Sequence, residues 1–210
     1  TIIHPMSLIV VKFGGTSVAD PACIENAAAK VLGESKRGNQ VVVVVSAMSG
    51  VTNQLVEYCS QISKNPQSEE LDAVVASGEQ VTAGLMALAL QKLGLKSRSF
   101  MGWQVPLICN DQHGSARIDD IPPEKLQKLI ADGIIPVVAG FQGVTRDGRI
   151  ATLGRGGSDT TAVAIAATLK ANRCDIYTDV TGVYTSDPRM VPQAQKLSLV
   201  SYEEMLEMAS

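Results

Sequence analysis

The chain has 210 residues, 45% of them apolar, 19% charged and 4% aromatic, with a formal net charge of −3. This composition implies a folded protein with a sizeable core and excludes a disordered one. Neither the charge balance nor any Lys/Arg cluster offers a footprint for nucleic acid.

In chain order, Thr1–Pro5 precede Met6 and are set apart from the fold. Leu8–Phe13 is a short β-branched run ending at Gly14-Gly15 and predicts a buried strand. Asp20-Pro21 supplies an N-cap and a proline at the first helical position, and Ile24, Ala27, Ala28, Val31 and Leu32 follow at helical spacing. Val41–Val45 is five valines, the pattern of a strand covered on both faces in a parallel sheet. Val51, Leu55, Cys59 and Ile62 predict the next helix, and Ser68-Glu69-Glu70 opens a long one running to about Leu93. Ser99–Cys109 is irregular and predicts short strands. Pro122–Ala131 is an amphipathic helix with Leu126, Leu129 and Ile130 inward, and Ile135–Ala139 is another buried strand. Thr145–Arg149 is a hairpin turn signalled by Asp147-Gly148. Thr160–Ala171 is an Ala-rich helix, Cys174–Val180 a strand, and Tyr202–Ala209 the start of a last helix. Strands alternating with helices predict an α/β fold, a mainly parallel sheet with helices on both faces, in one domain over residues 6–210.

Cys23, Cys59, Cys109 and Cys174 form no Cys-x-x-Cys pair. With only His4 and His113 beside them, they argue against a structural zinc site and read as small buried hydrophobes in a reducing, cytoplasmic compartment. Runs such as Val41–Val45 and Leu85–Leu90 are too short to span a bilayer.

The sequence features with chemical content fall at strand ends, where open α/β sheets bind ligands. Lys12-Phe13-Gly14-Gly15-Thr16-Ser17 joins an ammonium to two glycines whose N–H groups can face anionic oxygens. It is neither a Walker A loop nor Gly-x-Gly-x-x-Gly, and a plain tight turn would read the same way. Ser46–Gly50, with Thr52, follows the valines and suits a polar substrate or simply a turn. Gly154-Arg155-Gly156-Gly157-Ser158-Asp159 stands before a helix, whose N-terminus is an anion site. Arg155 can grip a carboxylate with two hydrogen bonds, while Ser158 or Asp159 could be no more than the N-cap. The stretch from Tyr177 to Arg189 leaves a strand for a polar loop. There Thr178 and Asp179 could meet base or ribose edges, Tyr184 a purine and Arg189 phosphate, or Asp187-Pro188 could only shape the loop. Glu79, inside an apolar helical stretch, either pairs with a substrate ammonium or faces solvent. His113 has no visible partner, and Trp103 and the methionines read as packing.

Taken together, Lys12–Ser17, Val41–Gly50, Ser77–Val81 and the run from Gly140 through Gly154–Thr161 to Arg189 resemble aspartate kinases of the amino acid kinase family. The resemblance covers nearly the whole chain from Met6 on. It implies a three-layer α/β/α sandwich and an enzyme that phosphorylates the β-carboxylate of L-aspartate with ATP, the first step of lysine, threonine and methionine biosynthesis. Under it, Lys12 and Asp159 are catalytic, Lys12 contacting the transferring phosphoryl group and Asp159 organising Lys12. Ser46, Thr52, Glu79, Arg155, Gly156, Gly157 and Ser158 hold the amino acid. Lys12, Phe13, Gly14, Gly15, Ser158, Thr178, Asp179, Tyr184, Asp187 and Arg189 hold ATP. Mg²⁺ rides on the nucleotide, without a protein metal site. The partners implied are aspartate and ATP, with a homodimer or a regulatory ACT-containing subunit, and neither nucleic acid nor membrane. Relatives of this type continue past Ser210 with a Gly-Ser-Lys-like segment, a further strand and paired ACT domains, so feedback inhibition is not legible here. The alternatives are a kinase for a related carboxylate such as glutamate, and a nucleotide-binding domain with little turnover. A dinucleotide oxidoreductase fits poorly because the glycine pattern is wrong.

Overall fold

A computed structural model describes residues 6–178. Its centre is a five-stranded parallel sheet in the order β3-β6-β2-β1-β9. The strands are β1 (Leu8–Phe13), β2 (Gln40–Val45), β3 (Ser97–Phe100), β6 (Ile135–Ala139) and β9 (Arg173–Tyr177). β2 is paired on both sides, and its valines divide by parity because successive side chains leave a strand on opposite faces. Val41, Val43 and Val45 join Ile9, Val11 and Phe13 in one core, beneath α1 (Pro21–Lys36) and α4 (Ser77–Lys92). Val42 and Val44 join Val10 in a second core, beneath α5 (Glu124–Ala131) and α6 (Gly157–Thr168). The α/β/α layering therefore follows from a strand with no polar face. α1 begins as its sequence predicts, with Asp20 Oδ1 accepting from Cys23 N at 2.8 Å and Pro21 in the first turn.

A smaller sheet, ordered β5-β4-β7-β8, stands beside the main one. It contains β4 (Ile108–Cys109), β5 (Ile118–Asp120), β7 (Gln142–Thr145) and β8 (Ile150–Thr152). β7 and β8 form the hairpin signalled by Asp147-Gly148, with Gly148 at φ +88°. β5, with Ile-Asp-Asp, carries no strand pattern and is not foreseen from sequence.

The long helix from Ser68 is instead two helices, α3 (Ser68–Val75) and α4, broken at Ala76. Ser77-Gly78 sits at the break, and the Ser77 hydroxyl turns back to Val74 O at 2.7 Å, a common cause of a kink. Taken as one 25-residue run, Ser68–Lys92 is long and apolar enough by composition to cross a bilayer, with mean hydropathy 1.4 in its most apolar window. Half of that window is buried inside the protein, and α4 packs on α1, β3 and β6 as a core helix. α2 (Val51–Ile62) buries none of its residues fully, and Ile62 is exposed.

Candidate active site

The loop after β2 leads to the α4 face of the sheet, whereas the chain after β6 leads to the α6 face. Such a divergence opens a crevice at the carboxyl ends of the strands. A cleft of about 640 Å³ lies there, lined by Lys12 and Gly15 after β1, Ser46–Gly50 and Thr52 after β2, Glu79 from α4, and Gly154–Asp159 at the start of α6.

Lys12 shares the strand face of Val10, directed to α6, and occupies the last position of that row before the core ends. Its stem is buried, and its Nζ lies 2.6 Å from Asp159 Oδ1, as a snorkelling lysine at the edge of an apolar core can do. Phe13 has the opposite parity. Its ring is fully buried and stacks on Tyr177 with centroids 5.1 Å apart, so only its backbone faces the strand-end region. The Gly14 N–H donates to Tyr177 O at 2.9 Å and is not free for a phosphate. The backbone approaches closely here: a Cβ on Gly14 would stand tight against Tyr177 O at 3.3 Å, and one on Gly15 against Ala47 O at 3.1 Å. Gly15 opens a 3-10 turn over Gly15–Val18, and the first N–H groups of such a turn have no acceptor within it.

Gly78 lets α4 press against the loop after β2, because a Cβ there would meet Ala47 Cβ at 2.9 Å. This places Glu79 under the loop, where Oε1 accepts from Ala47 N at 3.2 Å. Oε2 is buried and has no partner among the described residues. Glu79 is only 2% exposed, so the solvent-facing reading fails. Burial pushes its carboxyl up to about 7, opposed by hydrogen bonds from its own backbone and from Ala47 N. A buried carboxylate with one oxygen unoccupied in a cleft is a receptor for a cation.

α6 begins three residues earlier than its sequence suggests. Its N-cap is Gly156, left-handed at φ +74° and without a side-chain cap. Ser158 and Asp159 therefore lie inside the first turn, and the simple capping reading is corrected: the N-cap residue itself has no side chain to accept from the leading N–H groups. Arg155 precedes them, exposed, and forms no ion pair among the described residues. Gly140 allows the close packing, since a Cβ there would meet Ser158 Cβ and Oγ at 2.9 Å. Phe141, at φ +71°, lines the cleft and donates its N–H to Thr161 Oγ1 at 3.1 Å.

Lys12 and Arg155 thus face one cleft rather than separate surfaces, together with the α6 N-terminus and Glu79. Thr178 directly follows β9 at the same sheet end but does not line the cleft. Asp179, Tyr184, Asp187 and Arg189 lie outside the described residues. His113 does have a partner: its Nδ1 is 2.9 Å from Asp72 Oδ2. Their separation of 41 positions hid this from sequence. Phe141, Leu153 and Gly114 also line the cleft, and no local pattern marks them.

Residues 7–210 match the sequence profile of the amino acid kinase family. The chain belongs to that family. Among its members, the aspartokinase of Bacillus sp. (strain MGA3) is 55% identical over 205 residues, covering 98% of this chain and 50% of that protein. The aspartate kinase of Pseudomonas putida is 53% identical, with the same coverage. The chain spans about half the length of these amino acid kinase relatives. The crystal structure of aspartate kinase from Synechocystis superposes with TM-score 0.75 at 47% identity, over 90% of this chain and 31% of that one. E. coli aspartokinase III, in complex with aspartate and ADP, superposes with TM-score 0.76 at 29% identity, over 90% of this chain and 53% of that one. Isopentenyl phosphate kinase, at 22% identity and TM-score 0.64, shares the fold.

Proposed function

We propose that this chain is the catalytic region of an aspartate kinase, transferring the γ-phosphoryl group of ATP to the β-carboxylate of L-aspartate. One observation carries the reading: a single cleft sets Lys12, Arg155 and the uncapped α6 N-terminus on the same space as the unpartnered Glu79 Oε2. A free amino acid brings an ammonium and an α-carboxylate, and the nucleotide brings a polyanion. Glu79 takes the ammonium and Arg155 the α-carboxylate, which leaves the β-carboxylate to react. Kinship with aspartokinases at 53–55% identity supports this choice of substrate.

The β-carboxylate is already a nucleophile and needs no general base. Its difficulty is approaching another anion. The chain therefore works by in-line positioning and charge neutralisation. Lys12 Nζ, steered by Asp159, meets the transferring phosphoryl oxygens, and the amides of Gly15 and of the first α6 turn face the oxygens around it. Ser46, Thr52 and Ser158 supply hydroxyls at the cleft wall. Glu79 and Asp159 are the cleft carboxylates, and Asp159 is engaged by Lys12. A magnesium ion would thus be held mainly by the nucleotide's own oxygens and would supply further charge neutralisation there.

The product, 4-phospho-L-aspartate, would enter lysine, threonine and methionine biosynthesis in the cytoplasm. Thr178, Asp179, Tyr184, Asp187 and Arg189 are proposed for the nucleotide, and a homodimer or a regulatory ACT-containing partner for the assembly. The test is hydroxylamine trapping of the acyl phosphate with ATP and aspartate, glutamate or N-acetylglutamate in parallel. Hydroxamate from aspartate alone is expected. Preference for another acceptor, or calorimetric ATP binding with no trapped product, sinks the proposal.

A further inference from the structure

We infer that Asp72, which does not line the cleft, is a positioning residue that sets the separation between the two ends of the amino-acid site, Glu79 and Arg155. The inference rests on the aspartate kinase reading above. Asp72 belongs to α3 and is 1% exposed. Its Oδ2 accepts from Thr152 N at 2.9 Å, Gly114 N at 3.0 Å and His113 Nδ1 at 2.9 Å, and its Oδ1 from the Thr152 hydroxyl at 2.6 Å. Backbone N–H groups can only donate, so this carboxylate is the acceptor hub of its surroundings.

What it grips matters more than how many bonds it makes. Thr152 ends β8 and leads directly into Leu153-Gly154-Arg155, all of which line the cleft. Gly114 lines it too and is carried on the same loop as His113. On the other side, α3 passes through the break at Ala76 into α4, whose first turn bears Glu79. A second tie crosses at the break. The buried Gln142 side chain donates to Ala76 O at 2.7 Å and accepts from Gly102 N at 3.1 Å. The helical pair that carries the ammonium receptor is therefore pinned to the β7–β8 hairpin that leads into the carboxylate receptor, once at Asp72 in α3 and once at the helix break itself.

Neither Asp72 nor Gln142 needs to touch substrate for this. A free amino acid bridges Glu79 and Arg155, so relaxing the Asp72 tie lets the span between them vary. The amino acid then loses affinity while the phosphate side, built on β1 and α6, stays in place. A merely structural aspartate would instead reduce folded enzyme or weaken both substrates together.

The experiment is steady-state kinetics on the intact protein carrying Asp72→Ala, with Asp72→Asn as the conservative variant. Asn can offer its amide oxygen to the three donors on one side and its NH2 to the Thr152 hydroxyl. Asp72→Ala is expected to raise the aspartate KM about ten-fold with the ATP KM and kcat within about three-fold, and Asp72→Asn to restore most of the loss. Should Asp72→Ala fail to fold, Thr152→Val removes one tie alone and is expected to raise the aspartate KM about three-fold or more. A smaller rise in the folded variants, or an equal rise in the ATP KM, overturns the inference. Wild-type protein that forms no aspartyl hydroxamate overturns the kinase reading instead, a result in which Asp72 has no part.

Discussion

Glu79→Gln tests the electrostatics of the cleft without any substrate. The carboxyl is at about 7 in the folded chain against an ordinary 4.5, and the cause is burial. The folded state therefore holds a proton that the unfolded state has released between those two values. Stability contributed by this group is fully present below about pH 4.5 and is lost as pH rises to about 7, at about 1.4 kcal/mol per pH unit. Over the whole interval the loss is about 3 kcal/mol. Glutamine cannot titrate, and its amide oxygen can keep the Ala47 N–H bond. The assay is urea unfolding of wild type and variant, free of substrate, at several pH values from 4.5 to 8. Taking the difference between the two proteins cancels the other titrating groups. Wild-type stability minus that of the variant should fall steadily to about pH 7 and then level off. A difference that stays flat across the range would refute the reasoning, because it would mean that Glu79 is solvated in the folded chain.

The same carboxyl must be ionised to receive an ammonium, so the aspartate KM should climb by up to about ten-fold per unit as pH falls below about 7, while the ATP KM does not follow. Lys12→Ala should lower kcat by about a hundred-fold or more with little change in either KM, since the interaction matters most as charge moves. Near-normal turnover in that variant would remove Lys12 from the mechanism. Gly140→Ala should cost about 1–3 kcal/mol in a denaturation series by driving Ser158 and the α6 N-terminus away from β6. An unchanged midpoint would show that the helix end can yield. Val43→Ala and Val44→Ala should each cost about 2 kcal/mol, because both faces of β2 are covered. A cost at only one of them would mean that one face is open.

The parallel sheet was legible because its signal is local. Five consecutive valines leave no polar face, and Asp20-Pro21 marks a helix start by its own chemistry. Ser68–Leu93 read as one helix because the break at Ala76 arises from ties to Ser77 and to Gln142, the latter on a distant strand. β5 is held by its pairing with β4, and its Ile-Asp-Asp carries no alternation to announce it. Within the site, Lys12, Arg155 and Glu79 were visible as charges at strand ends or in apolar surroundings. The Asp72–His113 pair was not, because only the smaller sheet brings those two segments together. Phe13 was assigned by adjacency to Lys12, and strand parity sends its ring the other way.

The start of α6 shows why this site and this fold belong together. A helix usually gains about 1 kcal/mol from a side-chain cap. Here Gly156 occupies that position in a left-handed conformation, and Ser158 and Asp159, both capable caps, lie past it, inside the first turn. Capping by either would have placed a side-chain oxygen where the leading amides point. Instead Asp159 turns to Lys12, and Ser158 lies close against Gly140. The amides and the partial positive charge of the helix are left facing the cleft beside Arg155, which forms no ion pair among the described residues. Such an end is poorly stabilised in isolation and becomes favourable when an anion completes it. Opposite it, the buried Glu79 becomes favourable as a carboxylate only when a cation completes it. Two complementary deficits across one gap are what a zwitterionic amino acid presented to a nucleotide polyphosphate would satisfy, and neither deficit contributes to holding the sheet together.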